Sequence, residues 1–158
     1  MKSHILFAAL TATLPLVTPM GAHAEEPAMS VPAGLSMTVT KTPNCGCCSA
    51  WADLAAKDGY DVEILENMDY AGTKRAHDVP PNLTSCHSTR VGGYVVEGHV
   101  PLAAVEKLLT EKPDITGISV PGMPAGSPGM GDDPNAEFDV IAFGGSAGDG
   151  EVFYRAGQ

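Results

Sequence analysis

Apolar and polar residues alternate over Ser36–Lys41 (SMTVTK), and the β-branched content of that run predicts a strand. A turn rich in Pro, Asn and Gly follows (TPNCGCC), after which the period lengthens. From Cys47 to about Asp58 the spacing predicts a helix. Its inward face would carry Cys48, Trp51, Leu54 and Ala55, at i, i+3, i+6 and i+7. Gly59 is placed to stop it. Residues 60–66 (YDVEILE) predict a second strand, and 69–77 a short helix ended by Val79-Pro80-Pro81. Strand patterns return at 88–91 and 94–97, joined by Gly92-Gly93, a two-residue hairpin signature. Pro101 suits the first turn of a helix reaching about Glu111, with Leu102, Val105, Leu108 and Leu109 as its apolar stripe. Residues 113–135 are rich in Gly and Pro and have no period, so no regular element is expected there. Two further strands, Phe138–Phe143 and Glu151–Arg155, are linked by GGSAGDG and predict a hairpin.

The order β-α-β-α-β-β-α is that of a thioredoxin-like domain. The expected fold is therefore α/β and thioredoxin-like: a mixed central sheet flanked by helices, with an appended C-terminal β-hairpin. Ahead of it, residues 1–24 have a basic start at Lys2, an apolar run from Ile5 to Val17, and the small-x-small ending Ala22-His23-Ala24. That is the pattern of a secretory signal peptide. The apolar run is too short for a membrane span and is interrupted by Pro15 and Pro19. Residues 25–35 read as a flexible lead-in, and 36–158 as the domain. A periplasmic location is expected.

Composition narrows the function. Nineteen acidic residues against nine Lys and Arg give a formal charge of −10, and aromatics make up 6% of the chain. An acidic chain with few aromatics is a poor partner for nucleic acid or an anionic membrane. All four cysteines lie beyond the signal segment, so all would enter an oxidising compartment. There a thiol forms a disulfide, binds a soft metal or turns over as a redox catalyst.

Cys45-Gly46-Cys47-Cys48 holds three thiols at one predicted helix start, where free N–H groups and the helix dipole favour thiolate. Cys45 and Cys48 form a C-x-x-C pair. Vicinal Cys47 and Cys48 are poorly shaped for a disulfide with each other. A third thiol is surplus for a dithiol catalyst but useful for a metal. Cys86 is the fourth, in the segment before the third strand, which in this topology faces the cluster. Four thiolates favour Cu(I) or Zn by softness, and the paired C-x-x-C motifs of zinc sites are absent.

Other soft or imidazole donors are weighed in the same way. Met123 and Met130 lie in the Gly/Pro segment and on no helix face, so they are either thioether ligands or apolar plugs. His87 adjoins Cys86 and is the best imidazole candidate, although strand neighbours point to opposite faces. Structural or exposed roles are expected for His77 and His99. Trp51 is expected in the core, and Met37 and Met68 in core or edge positions. No nucleophile-elbow, P-loop, zincin or dinucleotide motif occurs.

The stretches KTPNCGCCSAW, PPNLTSCHSTRVGGYVVEGHVP and VPGMPAGSPGM resemble the small exported copper-resistance family often called CopG, which is unrelated to the plasmid repressors of that name. The resemblance runs over roughly 37–155 and implies a thioredoxin-like fold and periplasmic copper handling. It implies copper thiolates at Cys45, Cys47, Cys48 and Cys86, with His87, Met123 and Met130 as further candidates. The expected cofactor is copper as Cu(I), in a thiolate-bridged site with room for several ions. The expected partners are copper ions and periplasmic copper donor or acceptor proteins. Two alternatives stay open. One is a thiol–disulfide oxidoreductase, or a copper-linked oxidoreductase, using the CxCC motif. The other is a pair of structural disulfides, which would staple little chain with three Cys in four residues.

Overall fold

A computed structural model describes residues 34–157, apart from 132, 134 and 149. The expected signal peptide (1–24) and most of the expected lead-in (25–35) lie outside the described residues. The elements run β1 (Ser36–Lys41), α1 (Gly46–Lys57), β2 (Asp61–Glu66), α2 (Tyr70–Ala76), β3 (Ser88–Val91), β4 (Tyr94–Glu97), α3 (Leu102–Glu111), β5 (Gly117–Ser119), β6 (Phe138–Phe143) and β7 (Glu151–Ala156). Single 3-10 turns occupy Pro81–Leu83 and Gly145–Ala147. The fold is mixed α/β around one seven-stranded sheet ordered β2-β1-β3-β4-β5-β6-β7. β1 is parallel to β2 and antiparallel to β3; β4 is parallel to β5; the remaining pairs are antiparallel.

Side chains on the two faces of the sheet serve different layers. Val95 and Val96 are consecutive on β4 and so point to opposite sides. Val96 joins the main core with Met37 and Val39 of β1, Trp51 and Ala55 of α1, and Val105 and Leu108 of α3. Val95 packs with Val79, Leu83 and Phe143 on the other side. Two helices thus cover one face, while the α2 region and the Pro81–Leu83 turn cover the other. The indole of Trp51 donates to the carbonyl of Val100 at 2.8 Å, which ties α1 to the entry of α3.

Three expectations are corrected. The buried face of α1 is Cys48, Trp51, Ala52 and Ala55, and Leu54 is exposed. Positions i, i+3, i+4 and i+7 share a face, whereas i+6 lies about a third of a turn away. Met68 falls after β2, in no strand, and is exposed. The segment 113–135 contains a strand, β5, which carries the C-terminal hairpin onto the central sheet. Three residues are too few to show a period. Gly117 is required there because a Cβ would come within 2.9 Å of the Phe143 ring.

The Gly/Pro segment then folds back over α1. At Gly129 (φ +83°) an added Cβ would lie 2.8 Å from the Cys47 carbonyl oxygen and 2.9 Å from the Trp51 nitrogen. The loop backbone therefore rests directly on the first turns of α1. Gly129→Ala should cost about 1–3 kcal/mol through left-handed strain and this clash, read as a lower denaturant midpoint. Tyr60 supplies a second test. It is buried, and its hydroxyl has no partner among the described residues. Burial, with Asp58 and Glu106 adding, pushes its phenol up to about 12. The unfolded chain releases that proton from about pH 10 upward, so stability should fall as pH rises from 10 toward 12. Tyr60→Phe should remove that fall and hold or raise stability at neutral pH. An unchanged alkaline profile in the variant would refute the assignment.

Candidate metal centre

The site starts from a helix cap. Cys45 precedes α1 with extended backbone (φ −79°, ψ 94°), and its sulfur accepts the Cys48 N–H at 3.3 Å. A Cys takes the place usually held by Ser, Thr, Asp or Asn. Gly46 and the two following cysteines form the first turn, so three sulfurs surround one helix N-terminus. Cys45 and Cys48 are joined as a disulfide with Cα atoms 5.3 Å apart, while Cys47 and Cys86 are free thiols.

Cys86 reaches this cluster from the segment ahead of β3, the antiparallel neighbour of β1 in the sheet. Its sulfur lies 3.2 Å from the sulfurs of Cys45 and Cys48, and 3.4 Å from that of Cys47; Cys45 and Cys47 are 3.5 Å apart. The Ser85–His87 segment is fixed by several bonds. The Ser85 N–H donates to Glu97 Oε1 at 2.6 Å, the Tyr70 hydroxyl donates to the Ser85 carbonyl, and the Ser85 hydroxyl donates to the Gly122 carbonyl. Gly98 N–H donates to the His87 carbonyl at 2.8 Å. Burial pushes the Cys86 thiol up to about 12. The hydrogen bond and charge of Cys47 act with burial, Lys74 opposes, and Glu97 adds a smaller upward push.

A second group shares Cys86. Donor atoms of Cys86, His87 and His99 lie within 4.8 Å of one another, as do the four cysteine sulfurs. His87 stacks between Trp51 (centroids 4.9 Å) and His99 (5.0 Å, edge-on). Both histidines are fully or almost fully buried. His99 Nδ1 lies 2.7 Å from the Pro128 carbonyl oxygen. A carbonyl only accepts, so Nδ1 carries the proton and Nε2 keeps its lone pair. That is the arrangement by which an outer carbonyl orients a metal-binding imidazole. His99 Nε2 and both ring nitrogens of His87 have no hydrogen-bond partner. Burial, helped by His99 and Lys74, pushes His87 down to about 3. Burial also lowers His99, against the upward pull of its bond to Pro128. Both rings are therefore neutral at ordinary pH, as ligation requires.

The structure thus brings Cys45, Cys47, Cys48 and Cys86 together, with His87 beside Cys86. The strand-alternation objection to His87 does not apply, because Cys86 sits in a bend and β3 begins only at Ser88. Met123 is 57% exposed and lines an open cavity of about 300 Å³ with Cys86, Tyr70 and Thr42. Met130 is half-buried and directly follows the glycine that rests on α1. His99 is the residue that sequence reasoning missed. A structural or exposed role is expected for it; in the structure it is buried, with Nε2 left without a partner among the described residues. Its orienting carbonyl is 29 residues away, so nothing local announces it. His77 caps the end of α2 and is half-buried. Buried nitrogens without partners call for a ligand or bound solvent. Four sulfurs and neutral imidazoles fit a soft ion such as copper. Among the described residues, no helix is long and apolar enough to cross a membrane.

Comparisons with known proteins place this geometry in a family. A family model described as "Protein of unknown function, DUF411" matches residues 83–130, which include Cys86, His87, His99, Met123 and Met130. Among curated proteins there is no match. A solved structure named "Copper resistance protein copG- Form 1" is 34% identical, with 79% of this chain and 99% of that chain covered and a TM-score of 0.71. Its counterpart, "Copper resistance protein copG- Form 2", is 36% identical over 77% of this chain and 98% of that one, also with a TM-score of 0.71. At that identity and coverage the chain belongs to the copper resistance protein CopG family.

Proposed function

We propose that this protein binds copper in resistance and homeostasis, holding Cu(I) on Cys45, Cys47, Cys48 and Cys86 in a site for more than one ion. The observation that carries this reading is the position of Cys86. Its sulfur belongs both to the four-sulfur group and to the group with His87 and His99. A thiolate can bridge two metal ions, so a shared sulfur joins the two groups into one multinuclear site. His87 and His99 supply nitrogen at the buried end. Met123, at the rim of the cavity that reaches Cys86, is suited to pass soft ions inward, and Met130 is the second thioether candidate. Bound copper would supply one-electron redox chemistry. The protein would be exported by the segment 1–24 and act in the periplasm, exchanging copper with donor or acceptor proteins there. The frame is read as thioredoxin-like, supported by the element order β1-α1-β2-α2-β3-β4-α3 and by the cluster at the start of α1.

A second reading, thiol–disulfide exchange, is favoured by one contact. The free Cys86 thiol lies 3.2 Å from both sulfurs of the Cys45–Cys48 disulfide. Copper oxidation coupled to that disulfide would balance as two Cu(I) giving two electrons, with two protons taken up to form two thiols.

Fully reduced protein titrated anaerobically with Cu(I) should retain more than one copper per chain by metal analysis. Ser at each of the four Cys positions should lower that number. Cys86→Ser should lose more than Cys47→Ser, because Cys86 serves both groups. Reduced protein that takes up no copper would end the copper reading. Reduction of insulin disulfides at rates well above the uncatalysed reaction would support the second one.

A further inference from the structure

The mechanism above leaves a buried ion pair without a role. Lys74, on α2, and Glu97, at the end of β4, are 4% and 0% exposed. The Lys74 ammonium lies 2.8 Å from Glu97 Oε1 and donates to the Ser88 hydroxyl at 3.0 Å. Glu97 accepts from the Ser85 N–H and from the Ser88 hydroxyl. The pair therefore brackets Cys86 and His87 on both sides of their segment. Lys74 and Cys86 line the same small pocket, together with Tyr70, Thr40 and Lys41. Lys41 is itself buried, and its ammonium donates to the carbonyls of Thr42 and Pro43 just ahead of Cys45.

Burying an ion pair is seldom a route to stability, since desolvation offsets the attraction. Such a pair needs another reason to stand beside four sulfurs. Copper binding replaces thiol protons by Cu(I), so the site carries net negative charge wherever ligating thiolates outnumber the bound ions. A cation fixed in a low-dielectric wall lowers the energy of that charge.

We propose that Lys74, held in place by Glu97, is a positioning residue of the copper site whose ammonium balances the charge of the ligating sulfurs. The inference rests on the copper reading. Glu97 does two jobs: it keeps Lys74 in the wall and pins the backbone next to Cys86.

The test separates charge balance from simple support of the fold. The reduced, metal-free chain is titrated with Cu(I) against bicinchoninate, and its melting is followed in parallel. Lys74→Met strands a buried carboxylate and should lower both melting temperature and Cu(I) affinity. The double variant Lys74→Met/Glu97→Gln removes both charges and keeps an amide oxygen for the Ser85 N–H. Its melting temperature should return toward wild type while its Cu(I) affinity stays about tenfold weak. A double variant that regains wild-type affinity along with stability would overturn the inference and leave the copper reading intact. A wild-type protein that takes up no Cu(I) in the same titration would overturn both.

Discussion

The carboxylate of Glu97 is the fixed point of this molecule. It is fully buried at the end of β4, in register with Ser88 of β3, and it gathers the Ser85 N–H, the Ser88 hydroxyl and the Lys74 ammonium. These bonds hold a non-repetitive segment that has no ladder of its own. Together with the bonds that link Tyr70 and Gly122 to Ser85 and Gly98 to His87, they hold the bend at Cys86 against α1. A buried carboxylate is tolerable only when its oxygens are fully engaged. Here that requirement and the placement of Cys86 are met by the same contacts.

Around that point the site is built from unlike parts. Three sulfurs come from a single helix turn, and their grouping needs no tertiary structure. The fourth sulfur and the two imidazoles come from β3 and β4 margins, and one imidazole is oriented by a carbonyl in the Gly/Pro loop. Gly129 lets that loop lie on the helix backbone closely enough for Pro128 to reach His99. The buried end is rich in nitrogen and apolar contact with Trp51, and the open end has Met123 at its rim. A soft ion would pass from thioether to thiolate to the region of imidazole.

Much of this was legible in the sequence for local reasons. Gly92 and Gly93 take positive φ (57° and 91°), as the two-residue hairpin demands, and β3 and β4 fall where the pattern placed them. The CxCC motif lies at the start of α1 because a turn-forming stretch meets a helical period there. The misses have a common cause. β5 is three residues long and gains its strand character from neighbours on both sides. His99 draws its orientation from residue 128, and Lys74 draws its burial from Glu97. None of these leaves a period or a motif in the chain. Leu54 was misplaced for another reason: apolar character outweighed angular position around the helix.

The closeness of Cys45, Cys47 and Cys48 in the chain has a thermodynamic consequence. An unfolded polypeptide already offers these three thiols within four residues, so it too would bind a soft ion. Metal stabilises a fold only by its preference for the native over the denatured state. Copper would therefore raise the melting point of this protein by less than its native affinity implies. The margin would reflect what folding alone adds: Cys86, His87, His99 and the walls around them.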